Sequence, residues 1–437
     1  MSSNNLRQSV WRLAWPVILS NCSVPLLGMV DAAVMGHLDS PIYLGGVALG
    51  ALIFDFLYWA VGFLRMGTTG FVAQAFGRRD DSEVKAIVIQ SIQVALLLTV
   101  GVWILAWPIE TLSFYLLQAE EAVESQGQLY FWARISGAPF VLVNYVLIGT
   151  LMAMQKPLLT LLLQVVTNGV NIILDLIFVW GLHWGVEGVA WATVVSQVLS
   201  CFLGLYLIRR YCLPDLSLVG FRRFQKGVAW RDMIEVNTHL FVRTFLLMGA
   251  LALFTALGAQ MGTAILAANA ILMNLQYLLS FALDGFGHAA ESLVGEGVGK
   301  KDLAYVDETV KWVMIFSGIV AVGFTVVYAL AYPVFVQMMT SLPEVAEIAL
   351  EYGWWMILSP LVAVWCYGLD GVFIGATQTR AMLWSMVFSA LIYYALAFWA
   401  MGQWGNHGLW AALMIFYVLR FLSLSIFWPQ LRSRFAA

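Results

Sequence analysis

Charge is what this 437-residue sequence has least of: Asp, Glu, Lys and Arg together make up 11% of it, where soluble domains carry about 25%. Hydrophobic residues make up 62%. No water-soluble fold could cover that much apolar surface, so the composition indicates a polytopic membrane protein. Alternating polar positions are missing as well, which argues against a β-barrel with a polar lumen. Cysteine is scarce: Cys22, Cys201, Cys212 and Cys366 lie in or near apolar runs without metal-ligand spacing and read as small buried thiols. His37, His183, His239, His288 and His407 are scattered, with no HExxH. The absence of GxxxxGK[ST] argues against ATP drive, and the absence of a Ser/Lys dyad or paired GxGD motifs argues against an intramembrane enzyme. No cleavable leader is expected, because Arg7 and Arg12 run straight into a long apolar segment.

What the chain does have is long apolar runs. At about 20 residues per crossing, twelve spans emerge, at 10–36, 42–77, 84–108, 125–153, 157–182, 187–211, 232–259, 264–298, 306–338, 345–375, 381–402 and 406–430. The polar stretch around Cys212 to Arg231 divides them six and six. The expected organisation is an N-terminal lobe at 1–211, a cytosolic linker at 212–231 and a C-terminal lobe at 232–437. Arg78, Arg79, Lys85, Lys156, Arg209, Arg210, Arg222, Arg223, Lys226, Arg231, Lys300, Lys301, Lys311, Arg380, Arg432 and Arg434 fall in even-numbered loops, at helix ends beside them, or at the C-terminus. Odd-numbered loops hold Asp39, Glu110, Glu120, Glu121, Glu124, Glu344 and Glu347 but no Lys or Arg. The positive-inside rule therefore places both termini in the cytosol.

The halves resemble each other. Gly62–Asp80, GFLRMGTTGFVAQAFGRRD, aligns at a constant offset with Asp284–Asp302, DGFGHAAESLVGEGVGKKD, matching Gly77 to Gly299, Arg79 to Lys301 and Asp80 to Asp302. Gly185, Gly188 and Ala192 likewise match Gly405, Gly408 and Ala412. The fold class is thus all-α, with twelve transmembrane helices in two pseudo-symmetric six-helix bundles. Such parallel repeats hold substrate between or within two bundles that rock.

Buried polar groups mark the working region. Gln164, Asn168, Asn171 and Asp175 are spaced four, three and four apart, so they share one helical face in an otherwise apolar run. A carboxylate there needs a protein interior or a wet cavity. At about 1.5 Å per residue, Asp31, Asp175 and Thr193 from three helices lie at one depth, roughly 8–10 Å from the outer surface. Thr193, Ser196, Gln197 and Ser200 form a second stripe. Two carboxylates with an amide and a hydroxyl make a hard-oxygen cluster suited to Na⁺ or a shared proton. A purely structural hydrogen-bond network is the competing reading.

The second half lacks the Asp175 equivalent. Its buried charges Arg243, Asp284, Glu291 and Asp370 read as a structural or gating network. Asp55, Arg65 and Arg134 read as structural, with Asp55 and Arg65 too far apart to pair along one helix. Pro16 and Pro25 can bend the first helix, and Met29 could soften a pocket for varied ligands.

With LAWP at Leu13–Pro16, MVDAAVMGHLDS in the first helix, LFVRTFLLM and LDGVFIGATQTR, the chain resembles multidrug and toxic compound extrusion (MATE) transporters, within them the DNA-damage-inducible F branch. That resemblance implies export of lipophilic, mostly cationic small molecules in exchange for H⁺ or Na⁺ from a bacterial inner membrane. It implies a monomer in the lipid bilayer, with no cofactor beyond the coupling ion and no nucleic-acid partner. It puts the cation site at Asp31, Asn171, Asp175 and Thr193 and the helix bend at Pro16; other branches of the family place coupling acids in the second lobe, where this chain instead has Arg243 and the Asp370 of its LDG motif. Asn168, Gln164 and Met29 are then expected to face substrate. A lipid or lipid-linked precursor flippase of related fold is the alternative, although it would need a basic cavity.

Overall fold

A computed structural model describes residues 3–36, 40–216, 228–433 and 435; the side chains of 3, 4, 24–29, 31–33 and 36 also lie outside the described residues. Its helices run α1 Ser3–Gly36, α2 Pro41–Val61, α3 Phe63–Gly77, α4 Asp81–Ile104, α5 Ala106–Leu117, α6 Glu121–Ile135, α7 Ala138–Ala153, α8 Pro157–Asp175, a π-helical stretch Leu176–Gly181, and α9 Gly185–Tyr211. They continue as α10 Trp230–Gln260, α11 Thr263–Gly299, α12 Leu303–Met339, α13 Pro343–Tyr352, α14 Trp354–Gly375, α15 Thr379–Ser425 and α16 Trp428–Ser433.

Among the described residues, nine helical stretches are long and apolar enough to cross a membrane, and the α6–α7 pair, bent by 55°, makes a tenth if it counts as one span. This is fewer than the twelve expected because α1 is not among them and Thr379–Ser433 counts as one stretch where two spans are expected. The run expected at 42–77 is interrupted at Gly62, between α2 and α3, but still forms one stretch, Pro41–Gly77, and that at 84–108 divides at Leu105. The run at 125–153 bends at Ser136–Gly137, where Trp103 Nε1 donates to the Ile135 carbonyl at 3.0 Å. Conversely α15 runs for 47 residues across a break at Gly405, whose φ of 57° and ψ of −135° are not helical. Glycine tolerates that left-handed φ at no steric cost.

The chain forms two compact units, one of Leu19–Trp230, the other of Met1–Ile18 with Arg231–Ala437. The division falls inside α1, two residues beyond the buried Pro16. Residues 217–227, most of the segment expected to link the halves, lie outside the described residues.

In the unit Leu19–Trp230, α3 packs on α7 and α8 on α9. An added Cβ on Gly149 of α7 would come within 2.8 Å of the Arg65 carbonyl of α3, so these backbones approach directly. In the other unit, α11, α12 and α14 form the centre. A Cβ on Gly371 would lie 2.2 Å from the Gly287 carbonyl, and one on Gly375 2.5 Å from that of Glu291. The glycine of the LDG motif is therefore there to let α14 touch α11.

The internal repeat extends to backbone detail. Arg79 and Lys301 both adopt left-handed φ, 59° and 55°. Asp80 and Asp302 then cap α4 and α12, accepting from Glu83 N at 3.0 Å and Tyr305 N at 2.9 Å. Such side-chain caps satisfy otherwise orphaned amides. The same offset relates Gln155 to Thr377, with φ of 58° and 52°. Gly185 and Gly405, φ 61° and 57°, start the last helical stretch of each half.

Candidate cation site around Asp175

The α8 helix turns its polar stripe inward and its leucines outward. Thr160, Thr167, Asn168, Asn171 and Asp175 are buried, whereas Leu158, Leu162, Val165 and Ile173 are exposed. This arrangement suits lipid outside and protein inside. Asp175 is 0% exposed, the last residue before the α-helix widens into its π-helical stretch. Such widenings are rare and are frequent at functional sites, because they re-aim side chains at the cost of regular hydrogen bonds.

Asn171 stands one turn earlier and joins Asp175 to α9. In one amide orientation Nδ2 donates to Thr193 Oγ1 at 3.2 Å. In the other, Nδ2 donates to Asp175 Oδ2 at 3.3 Å while the amide oxygen accepts from the Thr193 hydroxyl and backbone amide, each at 3.2 Å. The second is better satisfied, since it gives the carboxylate a donor. Thr193 Oγ1 is also 2.9 Å from the Val189 carbonyl, to which it can donate, and Ser196 Oγ donates to the Thr193 carbonyl at 2.8 Å. A carboxylate, an amide and a hydroxyl are thus brought together by two adjacent helices.

The polar line continues towards α1. Gln164 Nε2 donates to Asn168 Oδ1 at 3.0 Å, and Asn168 Nδ2 donates to Ser23 Oγ at 3.0 Å. On the neighbouring side, Asn144 Nδ2 donates to Gln197 Oε1 at 2.7 Å. The side chains of Asp31 and Met29 lie outside the described residues.

The charges of the second half gather on Asp370 of α14. Arg243 of α10 donates to its Oδ2, and so does Arg420 of α15 at 2.5 Å. Arg420 was overlooked in the sequence, although it is the one charged residue between Trp404 and Gln430. It also lies 5.6 Å over the Phe416 ring and 5.9 Å from those of Tyr367 and Tyr417. With two guanidiniums, Asp370 holds the cations already supplied by the chain. Two more acids lie on α11: the Asp284 carbonyl is bonded to His288 Nδ1, and Glu291 is buried one turn beyond that histidine. Where the first half has Asn171 and Asp175, the offset of the glycine match gives Leu391 and Ala395. The second half's interior polar contacts there are neutral, such as the reciprocal Asn269–Asn406 amide pair at 2.8 and 2.9 Å. Asp55 of α2 has Arg134 of α6 as its electrostatic neighbour, and that guanidinium lies 5.2 Å over the Tyr58 ring.

A family model described as MatE matches residues 16–177 and 240–399, one copy in each half. The chain belongs to the MatE family. DNA damage-inducible protein F of Escherichia coli (strain K12) is 40% identical to this MatE chain over 97% of it and 92% of that protein. A probable multidrug resistance protein, NorM, of Bacillus cereus is 23% identical over 94% and 92% of the two chains. Among solved structures, an outward-facing multidrug resistance MATE family transporter superposes with a TM-score of 0.88 at 18% identity, covering 99% of this chain and 97% of that one. A crystal structure of MATE in a bent conformation gives 0.88 at 19% identity, with all of both chains covered. The all-helical MatE fold expected from the sequence is thereby shown.

Proposed function

We propose that this chain is a secondary active multidrug efflux antiporter that exports lipophilic, mostly cationic compounds in exchange for H⁺ or Na⁺ by alternating access. Twelve spans follow if α1 crosses, the bent α6–α7 pair crosses once, and α15 crosses twice on either side of Gly405. With basic loops inside, both termini are cytosolic, residues 1–211 and 232–437 form the two lobes, and 212–231 is the cytosolic linker. The E. coli relative supports the inner membrane of a bacterium as the location.

The observation that carries this reading is Asp175, fully buried and bridged by Asn171 to Thr193. A coupling ion must bind where its arrival changes something, and a carboxylate linked through the Asn171 amide to the Thr193 hydroxyl does so. Proton or Na⁺ binding neutralises Asp175, releases its hold on the Asn171 amide, and weakens retention of a cationic substrate along Asn168 and Gln164. Ion and substrate then disfavour each other, and that mutual antagonism is the coupling. Asp31 is proposed as the second acid of this site, with Met29 lining the substrate path and Pro16 bending α1. Arg243 and Arg420 keep Asp370 neutralised, which leaves ion coupling to the first lobe.

Drug-accumulation measurements in cells lacking other exporters test the site. Asp175→Asn should abolish export of a lipophilic cation at wild-type membrane abundance. Thr193→Val, which removes a hydroxyl but no charge, should lower it by about tenfold, the loss of roughly one hydrogen bond to a charged network. Full resistance in the Asp175→Asn strain would refute the assignment.

A further inference from the structure

Away from Asp175, the unit of Met1–Ile18 and Arg231–Ala437 carries a groove with one polar end. Its first part, about 740 Å³, is lined by Arg7, Gln8, Trp11, Phe316 and Ile319. Ile319 also lines a second part of about 410 Å³, with Gly318, Val322, Leu361, Val364 and Trp365 among its walls. The two parts therefore run on along α12.

At the polar end, the Arg7 guanidinium lies 5.4 Å over the Trp312 ring and the Lys311 ammonium 5.5 Å from the same ring. Glu308 accepts from Trp312 Nε1 at 2.8 Å and pairs loosely with Lys311 at 3.7 Å, so Glu308 offsets Lys311 and the Arg7 charge is the excess. Nearby on α12, Asp307 is matched by Arg432 at 2.8 Å. The local balance is positive. Trp11 and Trp312 at this level are the amphipathic rings that sit at a membrane–water boundary.

Beyond them every lining side chain is apolar. From Trp312 to Val322 the helix rises about 15 Å, half of a hydrocarbon core of about 30 Å. The groove thus spans one leaflet. Ile319 and Val322 are 61% and 53% exposed, and Gly318 leaves its floor open, with only the Trp365 ring at 3.9 Å from an added Cβ.

We infer that this groove is a binding site for one anionic phospholipid. Arg7 and Lys311, with Gln8, take the headgroup phosphate and its charge; Trp11 and Trp312 flank the glycerol; one acyl chain lies along Gly318, Ile319 and Val322 against Leu361 and Trp365. Two cations at the mouth exclude the lipophilic cations proposed as substrates. A bound lipid ties the first turns of α1 to α12 and α14. The inference rests on the membrane-spanning reading of the chain and is independent of ion coupling.

Native mass spectrometry of the purified full-length protein, titrated with phosphatidylglycerol or with phosphatidylcholine of the same acyl chains, tests it. Wild type should prefer phosphatidylglycerol by about fivefold for each engaged cation. Arg7→Gln combined with Lys311→Gln should bring that preference to unity while phosphatidylcholine binding stays unchanged. Gly318→Leu should reduce both lipids, and glycerol phosphate alone should not compete, which separates a lipid from a free phosphate. If Gly318→Leu does not fold, the exposed Arg7 and Lys311 substitutions still decide. Equal binding of the two lipids by wild type, or an undiminished preference in the double variant, would overturn the assignment and leave an ordinary annular lipid. Asp175→Asn should keep the wild-type lipid preference, so failure of the transport reading and failure of the lipid site remain distinguishable.

Discussion

A carboxylate held inside a membrane protein survives on what its neighbours supply, and the two halves of this chain supply different things. Asp370 receives two guanidiniums on one oxygen, a charge-assisted arrangement that is strong once assembled. Removing one partner of a buried ion pair costs about 3–5 kcal/mol, and Asp370 serves two. Thermal unfolding of purified variants should therefore rank Asp370→Asn as more destabilising than Arg243→Met or Arg420→Met, because it leaves two cations without their acid. Equal midpoints for all three would contradict a shared clamp. Asp175, by contrast, is joined by the Asn171 amide to the Thr193 hydroxyl, and the acid itself was legible in the sequence, where only the first half places one on the Gln164–Asn171 face. Arg420 was not. It lies near the end of an apolar run, where a basic residue reads as an interfacial anchor, and only the fold turns it inward onto Asp370.

Helix breaks are the level at which sequence spacing informs least. The apolar run through α2 and α3 is interrupted at Gly62 with ordinary right-handed backbone angles and stays one stretch, so its spacing gave no sign of the break. The left-handed turns fall where the chain repeats itself, as Gly77-Arg78-Arg79-Asp80 and Gly299-Lys300-Lys301-Asp302, although the repeat by itself did not mark them as turns. The π-helical stretch after Asp175 had no signal in the apolar sequence Leu176–Gly181. Close helix contacts give this scale its test. Gly371→Leu should prevent folding, since its side chain would have to occupy the Gly287 backbone, whereas Gly323→Ala in α12, with nothing within 4 Å, should be neutral or stabilise by up to about 1 kcal/mol. The yield and melting midpoint of purified protein read both. A well-folded Gly371→Leu would show that α11 and α14 do not need contact at the backbone.

For the whole molecule, the proposed topology is directly measurable. Single cysteines placed at Glu120 and at Ser433, in a chain whose own four cysteines are replaced by Ala, should react differently with an impermeant thiol reagent added to intact cells. Position 120 should label from outside, and position 433 only after the membrane is opened. Labelling of both from outside would reverse or break the twelve-span count. The repeat made the two-half organisation legible in the sequence, whereas the placing of Met1–Ile18 with the second unit was not, since those residues read simply as the start of the first span. The buried carboxylate at 175 is proposed to exchange an inorganic cation for cargo. The most direct measurement of that exchange is transport of a lipophilic cation by proteoliposomes under an imposed pH gradient or an imposed Na⁺ gradient, each applied alone. Wild type should move the cation against its gradient under one of them, and Asp175→Asn under neither. Equal gradient-driven transport by both proteins would contradict the account.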